Sequence, residues 1–333
     1  KGGYKISGEI KNMQDTTVIL AYYFGGKQYA SDTTNIVNGK LTFSGEKALD
    51  GGIYLLVLPD GKYFELIISE QHFSFVTDKN NLVASMKFQN SKENTAFYEY
   101  LNYITEKQKE VSPLKDKQAN VKSDAEKEKL QSEISKVDDA VRVYRNSFYK
   151  KYPDVFFSKI IRATTDIEIP EIPLDSTGKP KENFQFYYYK KHFWDNMDFS
   201  DSRMLRTPIF FNKMDQYLEK FTPKHPDSII VSADLLVEQS RANNKIFQYV
   251  VSHITSTYER SKIMGMDAVF VHMVEKYYMN GECDWVKEKQ LEKIIERANR
   301  ISPNMIGKKP PNLVFKDTLD RYHSLYHLAA DYT

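Results

Sequence analysis

Cysteine is almost missing from this chain: Cys283 is the one Cys in 333 residues. A lone Cys excludes an intramolecular disulfide and a Cys-rich zinc site. An excess of one charge is missing too, since 47 basic and 45 acidic side chains leave a net charge of +2. That balance gives no electrostatic footprint for nucleic acid. Apolar runs such as 53–58 fall far short of the roughly 18 residues a membrane span needs. Neither a G-x-G-x-x-G fingerprint, a phosphate loop nor a G-x-S-x-G elbow occurs. Aromatic side chains, by contrast, are plentiful (23 Tyr, 20 Phe, 2 Trp), and the hydrophobic fraction is 41%. Such a composition excludes a disordered chain. At roughly 100–200 residues per domain, the length predicts about two domains.

Glycine divides the chain. Ten of its 14 glycines lie at or before Gly61, and none falls between Gly61 and Gly178. Closely spaced turns suit short strands, whereas helices disfavour Gly by about 1 kcal/mol relative to Ala. The period and the turn signals predict strands over 4–10, 17–24, 27–33, 40–44, 53–58, 62–69, 73–77 and 84–88. The dipeptides Gly25-Gly26, Asn38-Gly39 and Asp60-Gly61 mark hairpins. An antiparallel sandwich or barrel is the expectation.

From Ser91 the period changes. Ser112-Pro113 reads as a helix start, and Ser123 to Glu126 has capping-box spacing. Leu130, Ile134, Val137, Val141, Tyr144 and Phe148 then form a helical stripe, which Tyr152-Pro153 ends. The 12 basic and 9 acidic residues over 106–151 read as a solvated helix face. Further helices are expected over 183–194, 208–221, 227–239, 245–258, 266–279 and 284–300, with a Pro-rich loop at 167–181.

The search for chemistry is mostly negative. Two S-x-x-K matches, Ser112/Lys115 and Ser147/Lys150, lack companion motifs. His272 and Glu275 share a helix face, but a di-iron centre needs two Glu-x-x-His pairs and further Glu residues. His323 and His327 are four apart in a segment expected to be irregular. Cys283 precedes an expected helix start, which can lower a thiol pKa; a buried structural Cys is the alternative. No catalytic residue, metal ligand or cofactor site is assigned. The segment 184–206 is the most unusual. Its aromatic side chains run up to Trp194, followed by Asp201, Arg203 and Arg206, a set that could bind a peptide, a sugar or a carboxylate. The other reading is an aromatic face in the core with Arg–Asp pairs tying a loop.

The tail, Ile306-Gly307-Lys308-Lys309-Pro310-Pro311-Asn312-Leu313-Val314-Phe315-Lys316-Asp317, resembles the opening of a thioredoxin-fold domain of the peroxiredoxin/TlpA-like kind. Ser324-Leu325 fits the Ser-Leu step of that pattern, and 330–333 would lead into the strand before Trp-Cys-x-x-Cys. Pro310 stands where the pattern has Ala, and 319–321 lacks its turn Gly. The strand Ile6-Ser7-Gly8-Glu9-Ile10 resembles the "I-x-G-x-I" strand of the N-terminal β-domain of envelope thiol–disulfide oxidoreductases, often lipoproteins. Asp201 to Pro208 resembles the helical domain that follows it in that family.

The resemblance implies an α+β multidomain chain. Residues 1–90 would be an antiparallel β-domain, 91–302 an all-α helical domain, and 303–333 a linker and the start of a truncated thioredoxin-like domain. Lys1 is not a methionine, and the tail reads as an element about to begin, so both ends are expected to be cut. The implied function is the non-catalytic N-terminal region of an envelope thiol–disulfide oxidoreductase, serving positioning, dimerisation or client binding. These 333 residues would not themselves be an enzyme, because the Cys-x-x-Cys that supplies the attacking thiolate is absent. The implied partners are protein clients, the protein's own thioredoxin-like domain or a second copy, and a lipid anchor is expected upstream of Lys1. The alternative is a ligand- or peptide-binding module using Trp194, Asp201, Arg203 and Arg206.

Overall fold

The computed structural model describes residues 2–327. The expected lead of 330–333 into a further strand lies outside them. The fold is mixed α+β, and the chain forms two compact units, Lys1–Met214 and Asp215–Thr333.

The first unit opens with eight strands: β1 Tyr4–Lys11, β2 Thr16–Phe24, β3 Lys27–Ile36, β4 Lys40–Gly45, β5 Gly52–Val57, β6 Tyr63–Ile68, β7 His72–Asp78 and β8 Lys87–Gln89. They build two four-stranded sheets, in the orders β4-β1-β7-β8 and β3-β2-β5-β6. One pair corrects the antiparallel expectation: β1 and β7 run parallel. The second sheet is inserted between them in sequence, and that crossover lets β7 return in the direction of β1. In β1 the buried positions alternate, Ile6, Gly8 and Ile10, the signature of a strand with one face in the core. Gly8 sits directly opposite Phe75 in the ladder, and a Cβ there would overlap that ring. The glycine of the I-x-G-x-I pattern thus makes room for an aromatic side chain. Phe64 of one sheet meets Phe75 of the other edge-to-face, with ring centroids 5.5 Å apart.

The helices α1 (Lys92–Asn120), α2 (Asp124–Lys151), α3 (Phe156–Ala163) and α4 (Phe184–His192) follow. Helix α1 starts 20 residues before the expected start at Ser112-Pro113 and carries Pro113 inside it. Its start is set by the sheet. Ser91 caps the helix through Asn94 N, and the Glu70 carboxylate takes up Lys92 N at 2.9 Å and Glu93 N at 3.2 Å. Asn94, fully buried, closes the edge of β6: its Oδ1 accepts from Ile67 N at 2.7 Å and its Nδ2 donates to Ile67 O at 2.8 Å. One side-chain amide therefore satisfies both backbone groups that an open edge would leave bare. Glu93 performs the same service for α3, accepting from Phe156 N and Phe157 N at 2.9 and 2.7 Å. These bonds place the first helices in one compact unit with the sheets, which runs to Met214. Ser123 is the residue before α2 and makes no side-chain cap bond.

Helix α5 (Pro208–Glu219) spans that boundary. The second unit continues with α6 (Pro226–Ser240), α7 (Asn244–Glu259), α8 (Asp267–Met273) running into a π-turn at Val274–Tyr278, and α9 (Glu288–Ile301). A hairpin of β9 (Val314–Lys316) and β10 (Tyr322–Ser324) follows. Among the described residues no helix is long and apolar enough to cross a membrane.

Candidate functional site

The segment after α4 builds a dense junction on the β-sheets. Trp194 is 4% exposed and sits edge-to-face against Phe193 and Phe199, at 5.1 and 5.4 Å. The Lys213 ammonium lies 4.2 Å from the Phe193 ring centroid. Next comes a 3-10 turn, Ser202–Arg206, capped by the Asp201 carboxylate.

Asp201 is the hub. Its two oxygens accept from Arg203 Nε at 2.9 Å and Nη2 at 2.6 Å, the forked geometry that guanidinium and carboxylate share. Lys159 Nζ reaches Asp201 and Asp198, both at 2.8 Å. The remaining Arg203 nitrogen, Nη1, donates to Ser69 Oγ at 3.0 Å, 134 residues away in sequence. Its guanidinium lies over the Phe156 ring at 4.4 Å. Burial pushes the Asp201 carboxyl up, but the hydrogen bonds from Arg203 and Lys159 outweigh it and hold the pKa at about 2. Glu93 has the opposite balance: burial raises its pKa despite its bonds to Phe157, Phe156 and Ser69.

Arg206 reaches a different strand start. Its Nη2 donates to Asp50 Oδ2 at 2.6 Å, and its guanidinium lies 4.2 Å from the Tyr22 ring centroid. The Cα of Gly52 passes so close that a Cβ would overlap the Arg206 Cβ. The structure thus brings Asp201 and Arg203 together, places Arg206 on the β2–β5 surface, and buries Trp194 among aromatic side chains. Asp50, Ser69, Glu93 and Lys159 complete the junction. The residue pattern gave no signal for them, except that Gly51-Gly52 beside Asp50 marks a close approach.

The other candidates are also placed. His272 Nε2 bonds Asp234 Oδ1 at 2.9 Å, and Lys276 and Tyr277 converge on the same carboxylate at 2.8 and 2.7 Å. His323 bonds Asp317 at 3.0 Å from strand β10, whereas His327 lies in the turn after it. Ser147 donates to Tyr144 O, within its own helix. No group of three metal-ligating side chains gathers among the described residues.

Cys283 is 3% exposed. Helix α9 begins at Glu288, five residues beyond it, so no helix N-terminus faces the thiol. Burial, with Glu282 and Asp284 beside it, pushes its pKa up to about 12. Since the thiolate is the reactive form, iodoacetamide at pH 8 should alkylate native Cys283 about 10³-fold more slowly than the urea-unfolded chain. Equal rates, read by mass spectrometry, would contradict this environment.

Residues 115–304, more than half of the chain, match a domain of unknown function (DUF5106), and the chain belongs to that family. Residues 4–97 match a second domain of unknown function (DUF4369). The crystal structure of a thioredoxin-like protein from Bacteroides caccae is similar over 50% of this chain, at 19% identity and a TM-score of 0.35. The chain spans 59% of that protein's length. No curated protein matches the chain.

Proposed function

We propose that this chain is the non-catalytic region of an envelope thiol–disulfide oxidoreductase, a scaffold that positions a thioredoxin-like redox domain or holds its client. The observation that carries the reading is the β9–β10 hairpin. Its sequence resembles the opening of a thioredoxin-fold domain, and Leu313, Val314, Phe315, Leu319 and Tyr322 are all exposed on it. A two-stranded hairpin is marginal alone, so this apolar surface asks for further strands to cover it. The turn is already shaped: Asp317 accepts from Leu319 N, Arg321 N and Arg321 Nε, all at 2.8–2.9 Å. Cys283, buried and with a raised pKa, fits a region that supplies no thiolate. We read the two sheets as layers of a sandwich, on the Phe64–Phe75 contact. We read Trp194, Asp201, Arg203 and Arg206 as joints of the scaffold rather than as a ligand site, because Arg203 is spent on Asp201 and Ser69 and Arg206 Nη2 on Asp50, leaving only Arg206 Nη1 of the buried atoms of these charged groups without a partner among the described residues. Envelope location and a lipid anchor belong to the same proposal and rest on the family resemblance.

The test is the reading frame beyond Thr333, with insulin reduction by the full gene product. The expected result is a Trp-Cys-x-x-Cys within about 20 residues, and turnover that needs it and is unchanged by Cys283→Ser. A frame without Cys-x-x-Cys, or turnover that falls with Cys283→Ser, overturns the proposal.

A further inference from the structure

The second unit holds a cleft that its own packing leaves unfilled. Helix α9 packs on α8 and on the π-turn, and between α9 and α7 a cavity of about 340 Å³ remains. That size lies at the small end of the range for ligand pockets. Ser252, Thr255, Ser256 and Glu259 share one face of α7 through their spacing of three and four, and that face lines the cavity. A helix face turned toward a neighbouring helix is ordinarily apolar and filled to crystal-like density. Three short hydroxyl side chains leave the space open instead. Glu259 is already spent: Arg297 Nε of α9 meets its Oε1 at 3.0 Å and ties the two helices together.

The cavity also has aromatic walls. Tyr277 and Tyr278 are consecutive in the π-turn, a wide helical turn that recurs at functional sites. Tyr277 donates to Asp234 at 2.7 Å, whereas Tyr278 lines the cavity with its hydroxyl beside Thr255 and Ser252. Trp285, half-buried and braced edge-to-face by Phe247 at 5.7 Å, forms a second wall. Arg260 and Gln290 are exposed, and Ser256 is half-buried. None of these three side chains makes a hydrogen bond or ion pair among the described residues. Their polar groups are free for a guest, and Arg260 is the charge of the lining that no carboxylate answers.

We propose that this cleft binds a hexuronic acid, a hydroxylated six-membered ring that carries a carboxylate. The carboxylate answers the Arg260 guanidinium, whose fork matches it. The C–H face of the ring suits the aromatic walls of Trp285 and Tyr278. Its hydroxyls suit Ser256 and Gln290, which can both donate and accept. A neutral hexose leaves Arg260 unanswered, and an apolar ring acid leaves Ser256 and Gln290 unpaired, so both should be rejected. The proposal is independent of the thiol–disulfide reading.

Sodium D-glucuronate titrated into the whole chain tests it, followed by fluorine NMR of fluorotryptophan-labelled protein. A Trp285→Phe variant assigns the two indole signals. The expected result is a saturable shift of the Trp285 signal, with the signal of Trp194, buried in the first unit, unmoved. Arg260→Ala, an exposed substitution, should keep the thermal midpoint and weaken binding at least about tenfold, the effect of one lost charge-assisted hydrogen bond. D-glucose and cyclohexanecarboxylate should each bind at least about tenfold more weakly than glucuronate. No saturable shift with glucuronate, a shift confined to Trp194, unchanged binding by Arg260→Ala, or equal binding of either analogue would each overturn it.

Discussion

Replacing Arg203 by alanine is expected to destabilise the folded chain by about 3–5 kcal/mol, read from urea or guanidinium unfolding. That is the range for breaking a buried pair by removing one partner. Arg203 is the charge facing Asp201, whose side chain is 9% exposed, and it contributes favourably to Glu93. Its loss strands one carboxylate with Lys159 alone and the other with no cation. It also removes the bond to Ser69 on the β-sheet side and the cover over Phe156. Arg203→Lys keeps the charge but not the fork and should fall between wild type and alanine.

The pH dependence gives a second reading of the same junction. The folded pKa of Asp201, about 2, lies below the ordinary value of 3.8. Unfolding therefore takes up protons between those values, and stability present above about pH 4 is lost as pH falls through about 2. Glu93 is raised, so its contribution has the opposite sign: full below its unfolded pKa, and lost as pH rises through its folded one. Arg203→Ala should flatten the acid limb from Asp201 and steepen the loss from Glu93. An unchanged pH profile would mean that the fork is not what holds Asp201 down.

The second large effect is expected at Gly52. Its φ is +143°, and an added Cβ would overlap the Arg206 Cβ and stand 3.1 Å from Arg206 O. Gly52→Ala should cost about 3 kcal/mol, from backbone strain and overpacking together. The neighbour cannot yield cheaply, because Arg206 is held by Asp50 and packed on Tyr22. Gly61→Ala is the control: its φ is +79° and nothing lies within 4 Å of the added carbon. It should lose only the ~1–2 kcal/mol of a left-handed residue. Equal losses at the two sites, measured by denaturant midpoints at constant m-value, would show that the close approach at Gly52 carries no energy.

What could be read before folding was whatever is local. The alternation Ile6, Gly8, Ile10 announces a one-sided strand because side chains alternate every residue. The stripe from Leu130 to Phe148 announces a helix because the spacing repeats every 3.6 residues. The aromatic–arginine segment is visible as an oddity in the sequence, which by itself leaves both readings open, ligand site or packed joint.

Only the tertiary structure decided between partners. Arg203 meets Ser69, and Arg206 meets Asp50, across more than 130 residues of chain, and no spacing rule links such positions. The start of α1 is tertiary for the same reason: Ser112-Pro113 is a good local signal, but Glu70 and the edge of β6 anchor the helix 20 residues earlier. Cys283 lost its expected helix N-terminus because the turn before α9 is longer than its sequence suggested.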